Sequence, residues 1–282
     1  WFLYAKELIK KEGSNIELLN TWRTQEQDLI GLWDEVRKCG DLMIEKLAID
    51  GPFSREIGED IFASQDDDMV VLCLNYDGKF GLNSINNYFQ CANRKSEAVV
   101  WQDWSYKVGD PILFNDSKRF TVLYNNLKGR IAAIEIIAEK IWFTIDIAIN
   151  VTEDICKKDG IEWISASDGQ TRIRFFVESY NENAGEKDED FRVFTVIPFQ
   201  LAYAVSIHKA QGLEYESVKV VIPESNTEKI THGVFYTAIT RAKKKLKIYW
   251  NSNTMKKVVA NFDSPNLKQK SLDILKKKLN FS

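Results

Sequence analysis

The sequence predicts an α/β fold with a mostly parallel sheet, interrupted by a small β-barrel. Short apolar runs at residues 69–74, 202–207 and 217–222 predict strands that are buried on both faces, as in a parallel sheet. Segments with helical apolar spacing lie between these runs. In the middle of the chain, several short strand-like runs are separated by turn residues, which is typical of a small antiparallel barrel.

Composition describes an ordinary soluble protein. The 282 residues are 44% apolar, which is enough for a core and for two domains. A formal net charge of -3 argues against tight, nonspecific wrapping of phosphate backbones, although local patches decide nucleic-acid binding. The four cysteines lack metal-site spacing, and scattered free thiols predict a reducing cytoplasm. The most apolar stretch is broken by charges, so no membrane span is expected.

The first part of the chain is predicted to be helical and then α/β. In residues 24–38, the apolar positions Leu29, Leu32, Trp33 and Val36 follow helical spacing. Thr24 and Gln27 resemble a capping box that would open this helix. Residues 82–90 predict a second helix, and residues 98–101 a further strand.

The barrel is predicted from five runs of strand-forming residues, at 111–114, 120–124, 130–137, 141–145 and 172–177. Turn signals such as Asp168–Gly169 separate them. The α/β pattern then resumes, with a helix predicted at 231–243 and a last strand at 246–250. A lysine-rich amphipathic helix is predicted in the tail. The expected domains are an α/β domain formed by residues 1–106 and continued by residues 198–253, a small barrel inserted at 107–197, and a helical tail at 254–282.

The strongest candidate site is an ordered string of polar residues after an apolar run. The string contains Ser206, His208, Lys209, Gln211, Gly212 and Glu214. A strand that ends in a tight glycine turn would project these groups from the carboxyl edge of a sheet, where ligands bind in open α/β folds. Any one of these residues is more often a solvated surface group, but the ordered string is specific.

A second candidate follows at residues 233–243, where Arg241 comes near the end of a predicted helix. An arginine in that position can offer a fixed positive fork to a phosphate and stabilise the charge that develops during phosphoryl transfer. For an isolated arginine, pairing with a surface carboxylate is the commoner role.

Together these strings resemble motifs V and VI of superfamily 1 helicases of the UvrD/RecD type. Residues 19–24, which include Arg23, are similar to motif IV of the same family, and the segments 108–115 and 124–131 resemble the small barrel of its RecD-type members. The resemblance covers roughly residues 15–250. It implies the second RecA-like domain of a P-loop NTPase, with a mostly parallel sheet and an inserted small β-barrel.

The resemblance also implies a role for each matching residue. Arg241 would be the arginine finger and Arg23 a second contact to the γ-phosphate, as catalytic residues. Nucleotide-facing positions would be Gln211, Gly212 and Glu214. Single-strand contacts would come from Ser206, His208, Lys209, Asn75 and Tyr76.

The phosphate-binding loop of such an enzyme is absent from this sequence. No G-x-x-x-x-G-K-[ST] string occurs, and no predicted strand ends in the acidic pair that holds magnesium. The chain begins without an initiator Met, so we interpret it as a fragment. ATP with Mg²⁺ would be bound mainly by an N-terminal motor domain of the same protein, and the fragment alone should not hydrolyse ATP. No metal ligand set is predicted in this chain.

Two other functions remain open from the sequence. The chain could be a catalytically inactive helicase-like module that binds nucleic acid or a partner protein. It could also serve as the motor for a nuclease or another effector, whose domain would lie outside this chain. For the helicase, single-stranded DNA is favoured over RNA as the partner, and no membrane is involved.

Overall fold

The computed structural model describes residues 23–63, 68–116, 118–179 and 195–262. These residues form two compact units. The split unit combines the described residues of Trp1–Leu74 with those of Glu214–Ser282, and the contiguous unit is Asn75–Leu213. The predicted helical start before residue 23, a polar loop at 181–190 and the lysine-rich tail beyond residue 262 lie outside the described residues.

The split unit is built on parallel strands. Four of them lie side by side in the order β1 (Ser54–Arg55), β13 (Ala242–Tyr249), β12 (Tyr215–Val221) and β2 (Met69–Cys73). All three pairings are parallel, which confirms the predicted parallel sheet. In β2 all five residues are buried, so a continuous apolar run gives a strand covered on both faces.

The helices of the split unit bury their apolar stripes. They are α1 (Gln27–Lys38), α2 (Met43–Leu47), α5 (His232–Ile239) and α6 (Ser252–Ala260), with 3-10 turns at Glu59–Phe62 and Glu224–Lys229. All four apolar positions predicted for the first helix are buried on α1. The indole Nε1 of Trp33 donates a hydrogen bond of 3.1 Å to the Ile239 carbonyl oxygen, which joins α1 to the end of α5.

Two predictions about helix ends are wrong. The Thr24 hydroxyl donates to the Lys243 carbonyl oxygen and accepts from the Glu26 amide, so α1 begins at Gln27 without a capping box. The helix predicted at 231–243 already ends at Ile239. Its C-cap is Thr240, and the chain enters β13 at Ala242.

The contiguous unit contains an antiparallel sheet of six strands. Their order is β10 (Phe199–Leu201), β5 (Pro111–Phe114), β6 (Lys128–Ile137), β7 (Lys140–Ile147), β9 (Gln170–Glu178) and β8 (Glu162–Ser167). The turn between β8 and β9 consists of Asp168 and Gly169, both with positive φ, as the dipeptide predicts. Alternate residues of β7 and β9 enter an apolar core that includes Phe143 and Phe175. Closure of this sheet into a barrel stays a prediction.

The other elements among the described residues of the contiguous unit are two helices and three short strands. They are α3 (Leu82–Ala92), β3 (Val99–Trp101), β4 (Trp104–Tyr106), α4 (Glu153–Lys158) and β11 (Ala204–Ser206). The β3 and β4 strands form an antiparallel hairpin. The predicted helix at 82–90 and the predicted strand at 98–101 are confirmed by α3 and β3.

One predicted strand of the contiguous unit does not form. Residues 120–124 are a loop, although Phe120 and Leu123 are fully buried in the core. The backbone amide of Val122 and the hydroxyl of Thr121 both donate to the Asp159 carboxylate, each at 2.8 Å. The Asp159 carboxylate therefore accepts the hydrogen bond of a backbone amide that would pair with a neighbouring strand if this segment were part of the sheet.

Candidate functional site

Arg23 and Glu214 are brought together in the split unit. The Arg23 Nε donates to Glu214 Oε1 at 2.8 Å, and Nη1 donates to the Thr240 carbonyl oxygen at 2.7 Å. The second oxygen of Glu214 lies 3.9 Å from the Lys243 ammonium. Arg23 stands just before α1, so these contacts fix the entry of that helix against the end of α5.

Arg241 belongs to the same group of charges. Its guanidinium is buried, with Nε donating to the Thr237 carbonyl oxygen at 2.9 Å and Nη2 to the Thr240 hydroxyl at 3.1 Å. Burial lowers the pKa of this guanidinium, the neighbouring Arg23 lowers it further, and Glu214 opposes that change. We call Arg23, Glu214, Arg241 and Lys243 the arginine cluster.

Parallel pairing explains why the arginine cluster forms. Glu214 immediately precedes β12 and Arg241 immediately precedes β13, and the two strands are neighbours with Tyr215 opposite Ala242. The Tyr215 amide donates to the Arg241 carbonyl oxygen at 2.9 Å. The cluster therefore lies at the amino ends of these strands. The expectation that Glu214 projects from a carboxyl edge is wrong, because it already belongs to the start of the next strand.

Gln211 and Gly212 form an exposed turn in the contiguous unit. The Gln211 amide donates to the His208 carbonyl oxygen at 3.2 Å, and Gly212 has a φ of 86°, which favours glycine. Sequence reasoning grouped these two residues with Glu214. The structure places Glu214 in the arginine cluster and the two turn residues in the other unit.

Three of the five residues predicted to face a single strand lie at the end of β11 or just after it, and they differ in exposure. His208 is exposed and Lys209 is half-buried, whereas Ser206 is buried and its hydroxyl accepts from the Lys209 amide at 3.2 Å. The Lys209 ammonium donates to the Gln200 side-chain oxygen. Ser206 therefore supports the turn, and His208 and Lys209 are the more exposed of the three side chains.

Asn75 and Tyr76 hold the start of α3 through their backbones. The Asn75 carbonyl oxygen accepts from the Leu82 amide at 2.8 Å, and the Tyr76 carbonyl oxygen accepts from the Asn83 amide at 3.0 Å. The Tyr76 side chain is 54% exposed and borders a cavity of the contiguous unit. Of these two residues, both predicted to contact a single strand, Tyr76 is the one with an exposed aromatic ring.

Sequence reasoning missed a buried polar group of the contiguous unit that accepts four hydrogen bonds. The fully buried Asp110 carboxylate accepts from the Gln90 and Asn93 amides at 2.7 and 2.8 Å, from the Lys107 backbone amide at 2.9 Å and from the Tyr203 hydroxyl at 2.7 Å. In the sequence, Asp110 stands between a glycine and a proline, a context typical of an exposed turn. Nothing in that pattern signals a buried anion.

The described residues contain no metal-ligand cluster and no helix that could span a membrane. No three histidine, cysteine, aspartate or glutamate side chains converge within residues 23–63, 68–116, 118–179 and 195–262. Among the described helices, none combines the length and the apolar character that a membrane crossing would require.

Comparison with known proteins gives matches to helicases. The family model of the UvrD-like helicase C-terminal domain matches residues 201–249. The RecBCD enzyme subunit RecD of Buchnera aphidicola subsp. Acyrthosiphon pisum is 24% identical over 184 residues, covering 64% of this chain and 24% of RecD. Uncharacterized protein MJ1519 of Methanocaldococcus jannaschii is 35% identical over 81 residues, covering 29% of this chain and 6% of that protein. The chain thus spans less than a quarter of the length of these relatives.

Solved structures with similarity include two Pif1 helicases. Pif1 from Candida albicans has a TM-score of 0.49 and 15% identity, covering 90% of this chain and 60% of that chain. Bacteroides Pif1 bound to ssDNA has a TM-score of 0.49 and 15% identity, covering 94% and 57%. The family model and the RecD similarity agree with the motif resemblance, and residues 201–249 of this chain are similar to a UvrD-like helicase C-terminal domain.

Proposed function

We propose that this chain is the second motor domain of an ATP-dependent superfamily 1 helicase or translocase that acts on single-stranded DNA in the cytoplasm. The domain would be RecA-like, with the antiparallel sheet of the contiguous unit as its inserted barrel. ATP and Mg²⁺ would be held mainly by an N-terminal motor domain of the same, longer protein. The observation that carries the proposal is the arginine cluster, in which residues far apart in sequence meet beside one carboxylate.

The arginine cluster has the chemistry that a γ-phosphate needs. Two guanidinium groups lie close enough that the charge of Arg23 lowers the pKa of Arg241, so a bound anion would be stabilised by both. Arginine forks match phosphate oxygens in geometry and keep their charge. Arg241 would stabilise the negative charge that develops during hydrolysis, and Arg23 would report whether the γ-phosphate is present. Glu214 would hold Arg23 in place.

The turn that follows β11 would supply the contacts to the strand. His208 is exposed and Lys209 carries its ammonium beside Gln200, so both are available to phosphate oxygens. This domain and the N-terminal motor domain would bind and release the single-stranded DNA in turn, and this alternation would move the DNA along the protein. Gln211 and Gly212 would face the nucleotide, as the family resemblance implies.

The proposal predicts the effect of removing the arginine finger. In the complete protein, Arg241→Ala should lower the rate of DNA-stimulated ATP hydrolysis by about 10³, because the charge that stabilises the transition state is lost. Nucleotide binding, measured with a fluorescent ATP analogue, should remain close to normal. The matched control is Arg37→Ala, which removes an exposed arginine paired with Asp34 on α1.

The control is expected to leave turnover unchanged, and this chain by itself is expected to show no turnover. Near-normal hydrolysis by Arg241→Ala would reject the arginine-finger role. Absence of hydrolysis by the complete wild-type protein, with every nucleic acid tested, would favour the inactive binding module instead.

A further inference from the structure

The contiguous unit contains a cavity of about 740 Å³ that no motif of the sequence singles out. It is bounded by α3, by the β3–β4 hairpin and by the segment that leads into β10. Its volume lies in the range of pockets that take small organic groups. The cavity is therefore large enough for a specific ligand.

Hydrogen bonds hold the floor of this cavity in shape. Gln90 donates to the Ser105 carbonyl oxygen at 2.8 Å and accepts from the Ser105 hydroxyl at 3.2 Å, which ties α3 to the hairpin. Asn86 both donates to and accepts from the backbone of Ala204, each at 2.9 Å. Because these amides are occupied within the protein, they fix the walls before any ligand arrives.

The rim of the cavity is rich in amide side chains. Asn83, Asn87, Asn115 and Gln200 line it, and among the described lining residues Asp103 alone carries a charge. Amide groups donate and accept side by side, so they match the edges of nucleobases. Apolar residues such as Ile197 also line the cavity, so the lining suits a neutral ligand with an apolar face and polar edges and does not suit a phosphate.

Two of the aromatic side chains that line the cavity are exposed. Tyr76 is 54% exposed and Trp104 is 66% exposed. Large aromatic rings that remain this exposed beside an amide-lined cavity are typical of surfaces on which flat bases stack. The combination of exposed rings with amides selects a nucleobase over an aliphatic or a charged ligand.

A cation stands beside the cavity. The Lys209 ammonium is bonded to Gln200, which is one of the lining residues. We propose that the cavity receives one unstacked base of the bound single strand, with Trp104 and Tyr76 on its face and Lys209 at its phosphate. This inference rests on the proposed function and adds base contacts to a site that otherwise holds the strand by its phosphates.

The test compares two labelled strands of equal length by fluorescence anisotropy with the 282-residue chain. One strand is oligothymidylate, and in the other a tetrahydrofuran group replaces every base, so the phosphates are the same. The wild-type chain should bind oligothymidylate about tenfold or more tightly than the abasic strand. Trp104→Ala should remove most of that preference without changing affinity for the abasic strand, and Trp104→Phe should retain much of it.

Val100→Ala is the matched control, because Val100 lies on the same hairpin, is also 66% exposed and does not line the cavity. It should behave as the wild type does. Equal affinity of the wild type for the two strands would overturn the base pocket while leaving the proposed strand binding intact. Equal losses for Val100→Ala and Trp104→Ala would overturn the pocket as well. Failure to bind either strand would reject the strand-binding role and the pocket with it.

Discussion

Asp110 illustrates how one residue can organise several elements. Its buried carboxylate receives donors from α3, from the turn before β5 and from Tyr203. Burial raises the pKa of the Tyr203 hydroxyl, and the charge of Asp110 raises it further. A buried anion is tolerated where several donors compensate for its lost hydration, and this one has four of them.

Replacing Asp110 should therefore destabilise the chain strongly. Asp110→Ala removes the acceptor of four hydrogen bonds, two of them from the buried Gln90 and Tyr203, and should lower the free energy of unfolding by about 3–5 kcal/mol. Asp110→Asn keeps one acceptor oxygen and should fall between the wild type and the alanine variant. Urea unfolding followed by fluorescence measures these differences.

Asp103→Ala is the control for this experiment, because Asp103 is exposed. Its effect should stay within about 0.5 kcal/mol. A loss of less than about 1 kcal/mol for Asp110→Ala would contradict the account of Asp110 as the central acceptor of the unit.

At the scale of elements, β2 is a strand whose residues are buried on both faces, so shortening one of its apolar side chains should lower stability. Leu72 is fully buried in β2, so Leu72→Ala should lower the free energy of unfolding by about 2–5 kcal/mol through lost apolar burial and a residual cavity. Leu42→Ala removes the same atoms from a side chain that is 53% exposed, and it should change stability by no more than about 0.5 kcal/mol. Similar losses for the two variants in urea unfolding would show that β2 is not buried as described.

Elements with a strong pattern could be predicted from the sequence, and elements governed by distant groups could not. The apolar spacing of α1 and the continuous run of β2 depend on neighbouring residues alone. The loop at 120–124 has the composition of a strand, but Asp159 binds its backbone from another part of the chain. Local pattern contains no information about such a contact.

The same distinction applies to the candidate site. The motifs predicted the residue types of the arginine cluster, and their family resemblance assigned Arg23 and Arg241 to one ligand. Arg23 and Glu214 are 191 residues apart, so their ion pair could only be found from the fold. Asp110 gave no sequence signal, and the cavity beside Trp104 was anticipated only through Tyr76, because both features depend on burial and on neighbours from other elements.

For the molecule as a whole, the negative net charge does not favour binding of nucleic acid. Any binding of a single-stranded nucleic acid therefore depends on cations that lie close to it. The chain carries a formal net charge of -3, so unspecific attraction to phosphates is weak. His208→Ala combined with Lys209→Ala should weaken oligothymidylate binding and reduce the slope of log affinity against log salt by about one, since one phosphate contact is lost. Titrations at several salt concentrations measure both quantities.

A lysine elsewhere on the surface serves as the control for that experiment. Lys256→Ala removes an exposed lysine from α6 and should alter neither affinity nor slope. Lys209→Arg keeps the charge and should keep the slope. Unchanged binding and an unchanged slope in the double variant would reject the role of the turn after β11.

The pairing of β2 with β12 has a consequence for the order in which the chain folds during synthesis. Met69 lies opposite Ser217 in this pairing, but the ribosome completes the whole contiguous unit before β12 is made. Until then β2 lacks its β12 partner, and closing so long a loop is slow. Residues 75–213 have their own core and can fold during that interval. The arginine cluster is therefore expected to assemble last, after the contiguous unit, which separates the two halves of the split unit in the sequence.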